Sequence, residues 1–458
     1  MSLSIPLISH PDPGSILAWR DGIVVTAQEY VRDVRFLAER LPAGTHVLND
    51  CHDRYRFAVA LGAILVSGKI NLLPSTRTPE TIRQLRKFAP DACCITDQED
   101  CAIGLPRMVY PSEAEMTSAG QRLDPEVPAI TADKTVAYVF TSGSTGEPVA
   151  HRKTWGNLVL NVQTESAELS LEKGLSYAIV GTVPAQHMYG LESTILIAML
   201  NGHAIVSSQS FYPADICRSL EQVPMPRALV TTPVHLRSLM AVGQPLPKVS
   251  VLVSATAPLA PQLALEAEKR FDAPLLEIYG STETGQIATR RPTRSPEWNL
   301  FPTLKMQERE GRVWISGGHV ELPMPMNDVI ERKSDKRFQL HGRLADLINI
   351  AGKRTSLAFL NHHLNAIPGV EDGVFYMPPE TDTGEVKRLQ AFVVAPSLQV
   401  REILTALRER IDSAFLPRPV FLVDELPRNG TGKLPQRALA ELSERLINMR
   451  KAALSEAE

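Results

Sequence analysis

Hydrophobic and polar positions along this chain switch between a helical and a strand period, and the order of the switches predicts a parallel sheet covered by helices. Near the start, Thr26-Ala-Gln-Glu29 has the form of a capping box, and Tyr30, Val34, Leu37 and Leu41 recur behind it at helical spacing. His46–Asn49, the apolar helix around Ala58–Ser67 and the segment Ala92–Thr96 predict a strand–helix–helix–strand layer. Residues 120–133 mix Pro, Asp and Thr without periodicity and read as a connector. Short apolar runs at 176–182, 204–207, 228–231, 250–254 and 275–279 then read as strands. Helix-like stretches at 191–200, 213–222, 233–241 and 261–271 separate them. Pro213, Pro233 and Pro261 stand where a first helical turn tolerates proline. This alternation is the signature of an α/β architecture.

From about Arg290 the pattern changes to short strands and turns, such as 312–316 and 337–340, which predict a small β subdomain. Past Ala345 a separate α+β unit is expected, with strands at 373–377, 390–395 and 420–423, a helix at 400–415 and a last helix at 436–446. At 458 residues the chain is long enough for several such units. A net charge of −3 provides no basic field for nucleic acid or anionic lipid. The five cysteines have neither metal-ligand spacing nor the density of a disulfide scaffold, and read as reduced thiols. The first residues lack the charged and apolar regions of a leader, and the most apolar run, 57–67, is too short to span a bilayer. A cytoplasmic protein without membrane insertion is expected.

Four stretches carry candidate chemistry. Thr141-Ser142-Gly143-Ser144-Thr145-Gly146 follows the β-prone run 136–140, and its composition is that of a phosphate cradle, since glycines let backbone N–H groups converge on an anion. It is not the loop of nucleoside triphosphatases, which needs Gly-x-x-x-x-Gly-Lys-Ser/Thr. Tyr279-Gly280-Ser281-Thr282-Glu283-Thr284 sets an aromatic ring beside hydroxyls and a carboxylate, suited to a purine, a phosphate and a hard cation. Asp328 and Gly342-Arg343 offer a carboxylate and a guanidinium for sugar hydroxyls and phosphate. Pro427-Arg-Asn-Gly-Thr-Gly-Lys433 presents a lysine from a glycine-rich turn. Taken singly, each also reads as an ordinary turn, surface pair or solvated loop.

In this order, the four stretches resemble those of the adenylate-forming superfamily: acyl- and aryl-CoA synthetases, nonribosomal adenylation domains and luciferases. The resemblance runs from the 47–96 region to Arg437. It implies a large N-terminal domain over 1–342 that binds ATP and the acid, a hinge at 343–346, and a small mobile C-terminal domain over 347–458. It implies that the 141–146 loop contacts the β- and γ-phosphates of ATP and Thr282 the α-phosphate. Glu283 would hold Mg2+, Asp328 and Arg343 the ribose, and Tyr279 would stack on adenine, with Ala257 and Pro258 in the facing wall. His187, in Pro184-Ala-Gln-His-Met-Tyr-Gly190, would border the carboxylate substrate, and Lys433 would be the catalytic lysine. A carboxylate then attacks the α-phosphorus of ATP although both are negative. A divalent cation and a compact ammonium on a long stem offset that repulsion. The acyl-adenylate passes to the pantetheine thiol of CoA or of an acyl carrier protein.

Several positions depart from the family pattern. Val149 stands where a lysine usually follows the loop, with Lys153 four residues on as a substitute. Asp328 is preceded by Pro-Met-Asn, Ala345 occupies the usual hinge position with Asp346 beside it, and Ala358-Phe-Leu-Asn361 lacks the usual glutamate. The run 146–155 is similar to that of compact ligases of aryl-polyene and xanthomonadin-type pigment pathways, which load hydroxybenzoate-type acids onto carrier protein. A medium-chain fatty acyl-CoA synthetase is the enzymatic alternative. A nucleotide-binding regulator that has lost catalysis is the alternative of a different class, though retention of Glu283 and Lys433 speaks against it.

Overall fold

The computed structural model describes residues 3–74, 76–119, 126–142, 148–172, 174–343, 347–350, 353–378, 388–429 and 432–455. Gly143–Gly146 of the glycine loop and the expected hinge positions Ala345 and Asp346 lie outside them. The chain is α/β, as the periodicity predicts.

Two mixed sheets carry the N-terminal part. In the six-stranded sheet the order is Pro148–Thr154, Thr135–Ser142, Ile70–Leu73, His46–Asn49, Cys93–Thr96, Arg107–Val109, and every pairing is parallel except that between the first two. The eleven-stranded sheet has a parallel centre formed by Leu275–Ser281, Val251–Ser254, Arg227–Thr231, Ala178–Gly181, Ala204–Val206 and Ile16–Arg20. Antiparallel strands extend it on both sides, Ile23–Thr26 at one edge and the strands from Gly285–Arg290 to Asp328–Arg332 at the other. The antiparallel strands Leu304–Arg309, Arg312–Gly317 and Val320–Pro325 form the small β unit.

The local causes are those legible in the sequence. Thr26 and Glu29 close the capping box of the Ala27–Ala38 helix, with Thr26 N–H donating to Glu29 Oε2 at 2.7 Å. Tyr30, Val34 and Leu37 on that helix are completely buried against the Arg54–Val66 helix, which is apolar nearly all round and packed in the main core. Arg54 at its start is itself buried. Its guanidinium donates to Gly181 O at 2.9 Å, to Val183 O and to Thr194 Oγ1, which ties this helix to the end of a central strand.

The structure adds and corrects several elements. The layer near the N-terminus has an extra strand, Ile70–Leu73, between its two helices. The connector contains Ala129–Thr131, paired with Ser4–Pro6. A strand, Pro148–Thr154, lies between the glycine loop and the Trp155–Glu168 helix. The stretch at 191–200 is helical but opens with a π-helical segment, Leu191–Leu196. Near the C-terminus the helix at 400 ends at Arg408, and Ser413–Phe415 is a separate 3-10 turn capped by Asp412. The last helix is longer than its periodicity predicts, Gln436–Ser455. Asp372–Tyr376, Gln390–Val394 and Val420–Leu422 form the C-terminal sheet, with an apolar cluster on each face. No described helix is long and apolar enough to cross a membrane.

Candidate active site

Parallel strands deliver their carboxyl ends to one edge of a sheet, and that edge gathers the candidate residues. Ala178–Gly181 leads to His187, Arg227–Thr231 to Thr232 and Val234, Val251–Ser254 to Ala257 and Pro258, and Leu275–Ser281 to Thr282 and Glu283. In the six-stranded sheet, Thr135–Ser142 runs parallel to Ile70–Leu73 and ends at the glycine loop.

The Tyr279–Thr284 stretch is the turn of a hairpin formed with Gly285–Arg290. Thr284 N–H donates to Ser281 Oγ at 3.2 Å, and the two side-chain hydroxyls lie 3.1 Å apart, so the turn is closed by its own side chains. Gly280 takes part in the register shift at this point. The Tyr279 ring rests against Trp298 and Phe338, at 5.5 and 5.9 Å between centroids, and its hydroxyl donates to Asp328 Oδ2. Asp328 and Arg343 are direct cross-strand partners, so the two residues that the sequence sets fifteen apart occupy opposed positions on neighbouring strands. Thr256, just before Ala257, holds φ at +79°, an unusual backbone for a β-branched residue, at the bend that turns this segment across the strand ends.

Thr141 and Glu283 come from different sheets and meet at one side chain. His151, on the Pro148–Thr154 strand, has Nε2 2.9 Å from Thr141 Oγ1 and 3.9 Å from Glu283 Oε1. Burial, its largest influence, holds the imidazole below its ordinary pKa; the neighbouring Glu283 acts in the opposite direction. Lys153, two residues further along the same face, donates from Nζ to Thr282 O at 2.5 Å and lies 3.4 Å from Glu283 O. It is therefore bound to the peptide groups of the Thr282–Glu283 turn. Glu283 is part-exposed, with its carboxylate 3.9 Å from His151 Nε2. A site with one carboxylate and open positions suits Mg2+, which retains waters and takes phosphate oxygens. Among the described residues, the group of three or more metal-type side chains that converges elsewhere is Asp50, Cys94 and Cys101, with ligand atoms within 4.8 Å of one another. Its carboxylate is paired with Arg77.

His187 caps the short Met188–Gly190 turn, its Nδ1 accepting from Tyr189 N–H at 3.3 Å. Burial and then the charge of Lys433 lower its pKa to about 4, so it is neutral at physiological pH. The charge of Lys433 is thus felt at His187. The C-terminal lysine turn is closed by Asn429, whose N–H donates to Lys433 O at 2.8 Å and whose Oδ1 accepts from Lys433 N–H at 2.9 Å. Gly432 has φ +76°, and a Cβ there would lie 2.8 Å from Val234 Cγ2 on the Pro233–Met240 helix. A second tie runs through Asp372, which accepts from Arg428 Nε and Nη2 at 2.7 and 2.8 Å and has Arg237 Nη1 3.7 Å away.

Of the residues named from the sequence, the structure joins Tyr279 to Asp328, opposes Asp328 and Arg343 across two strands, and brings Thr141 and Glu283 to His151. Sequence reasoning missed His151, Asn161, Glu192 and Arg237, whose partners are far away in sequence.

Comparisons with known proteins bear on the family and the fold. The family model described as AMP-binding enzyme matches residues 12–312. The chain is 29% identical over 307 residues to 4-coumarate–CoA ligase of Rhodobacter capsulatus, covering 66% of this chain and 75% of that one. It is 27% identical over 365 residues to 2-succinylbenzoate–CoA ligase of Bacillus velezensis, covering 72% and 73%. The crystal structure of ATP-bound MatB from Rhodopseudomonas palustris superposes with a TM-score of 0.79 at 18% identity over 95% of this chain and 97% of that one. The chain belongs to the AMP-binding enzyme family of the adenylate-forming superfamily, and is an acid–thiol ligase of that family.

Proposed function

We propose that the protein activates an aromatic carboxylic acid with ATP, releasing pyrophosphate, and passes the acyl group from the adenylate to the pantetheine thiol of CoA or an acyl carrier protein. The observation that carries this reading is the docking of the Lys433 turn against Val234, beside neutral His187 and at the edge that holds the Thr282–Glu283 turn. The aromatic class is supported by relatives named for 4-coumarate, 2-succinylbenzoate and 4-chlorobenzoate.

In this reading Asp328 and Arg343 hold the ribose, Tyr279 offers its ring to adenine, and Ala257 and Pro258 line the facing side. Thr141–Gly146 holds the phosphates that leave, and Thr282 the one attacked. Mg2+, held by Glu283 when bound, lowers the charge repulsion between phosphate and incoming carboxylate. The Lys433 ammonium approaches from the C-terminal turn and bridges acid and α-phosphate, where exclusion of water strengthens its effect. His187 borders the acid as a neutral ring, adding no charge that competes with the lysine for the carboxylate. Residues 1–342 act as the binding unit and 347–458 as the mobile one, rotating about 343–346 after adenylation so that a thiol can enter.

The test is pyrophosphate exchange and thioester formation with a panel of hydroxybenzoates, cinnamates and C6–C12 fatty acids, each offered CoA and holo carrier protein side by side. Exchange with aromatic acids and a thioester on either acceptor is expected. Exchange restricted to fatty acids would transfer the activity to medium-chain acids, and no thioester with any acid would remove the ligase reading.

A further inference from the structure

The family lysine after the glycine loop is replaced here by Val149, yet a lysine sits two positions beyond His151 on the same face of the strand. Lys153 is 9% exposed, and is the lysine buried among the described residues. Its Nζ meets two successive carbonyls, Thr282 O and Glu283 O. A trans peptide directs C=O and N–H to opposite sides, so a cation on the Thr282 carbonyl turns the Glu283 N–H away from itself. Behind the turn lies a second support. Glu192, fully buried on the π-helical segment, accepts from Asn161 Nδ2 at 2.6 Å. Gly285 has φ +70°, and a Cβ there would approach Asn161 Nδ2 to 2.6 Å and Glu192 Oε1 to 3.2 Å. The turn is thus seated on the Asn161–Glu192 pair, with the ammonium bonded to its carbonyls. Glu192 and Glu283 are the carboxylates whose charges act on Lys153.

We propose that Lys153 is a positioning residue for the nucleotide: by binding the carbonyls of Thr282 and Glu283 it fixes the turn that meets the α-phosphate and metal, and supplies from beneath the positive charge that Val149 does not. The assignment rests on the proposed function. It refines the expectation that Lys153 substitutes for the lysine missing at Val149, because the ammonium is bonded to the turn itself.

The test uses Lys153→Met, Lys153→Arg and the double variant Lys153→Met/Glu192→Gln, which removes both buried charges together and guards against misfolding from an unpaired carboxylate. Calorimetric titration with Mg2+–ATP, without acid, reads binding apart from turnover. Lys153→Met and the double variant are expected to bind at least about tenfold more weakly, with KM for ATP rising in proportion and KM for the acid changing less than about twofold. Lys153→Arg should recover part of the loss. Wild-type affinity in the folded double variant, or equal losses for ATP and acid, overturns the assignment. If the wild-type chain itself binds no Mg2+–ATP, the function reading fails instead.

Discussion

Lys433 and Glu165 carry their ionisable groups in opposite environments, one exposed and one fully buried. Lys433 is exposed on a turn whose backbone is held by Asn429, so the origin of its side chain is fixed. Lys433→Ala is expected to reduce adenylate formation by a factor of 100 or more while leaving thioester formation from a supplied acyl-adenylate within about threefold, because the charge is needed where carboxylate meets phosphate. Equal losses in the two half-reactions, measured separately, would remove the lysine from that role. Glu165, on the Trp155–Glu168 helix, is fully buried, and burial raises its carboxyl to about 8, so it is protonated at neutral pH. Glu192 is raised to about 7, again chiefly by burial. A carboxyl whose folded pKa exceeds its unfolded value holds its proton more tightly in the folded state. Stability is therefore fully present below about pH 4.5 for this group and is lost as pH rises toward 8, by at most about 1.4 kcal/mol per unit. Glu165→Gln should flatten that loss, leaving the smaller contribution of Glu192. Urea unfolding of both proteins at pH 5 and pH 8 reads the difference, and identical slopes would mean that Glu165 ionises freely.

At the scale of elements, what the sequence disclosed depended on whether an element obeys the rule of apolar residues inside. The central strands do, and the prolines opening the helices at 213, 233 and 261 mark their first turns, so these elements fall within a residue or two of their expected bounds. Pro148–Thr154 does not obey it. His151 and Lys153 face inward and only Val149 and Ala150 are apolar, so the run reads as an extension of the loop. The inward lysine becomes intelligible only with the carbonyls 129 and 130 residues away. The capping box at Thr26, which is purely local, was fully readable, whereas the Asp328–Arg343 opposition needed the strand register. The Thr282–Gly285 turn has its own sensitivity. Gly285→Ala adds a methyl at φ +70° against Asn161, which is expected to cost about 1–3 kcal/mol and to lower the thermal midpoint. Calorimetry with and without Mg2+–ATP checks it: the ligand-induced rise in midpoint should shrink as well. An unaltered midpoint would show that the turn tolerates a side chain.

For the whole molecule, the contacts of the C-terminal segment define the arrangement in which the lysine faces the site. Asp372 is anchored by Arg428 within its own unit and approached by Arg237 from the Pro233–Met240 helix. Arg237→Ala removes the longer of these pairs and is expected to slow adenylation by about three- to tenfold with little change in thermal stability. Thioester transfer, which on the proposed rotation uses another arrangement of the same unit, should be unaffected. Raising ionic strength should mimic the variant in the wild type, since the Arg237–Asp372 pair is partly solvated. Rate measurements of the two half-reactions across 50–500 mM salt decide it, and a uniform response of both would dissociate the pair from docking.

Gly432 and Val234 have a consequence for how such a chain can be recombined. Their fit couples one position in each half of the protein, and it leaves no space for a single methyl carbon. A C-terminal unit taken from another member of the family carries its own requirement at the partner position. Chimeras joined at residue 343 should therefore fail or succeed according to the side chain at 234 as much as according to the junction. Exchanging residue 234 together with the transplanted unit is the more economical way to preserve the first half-reaction.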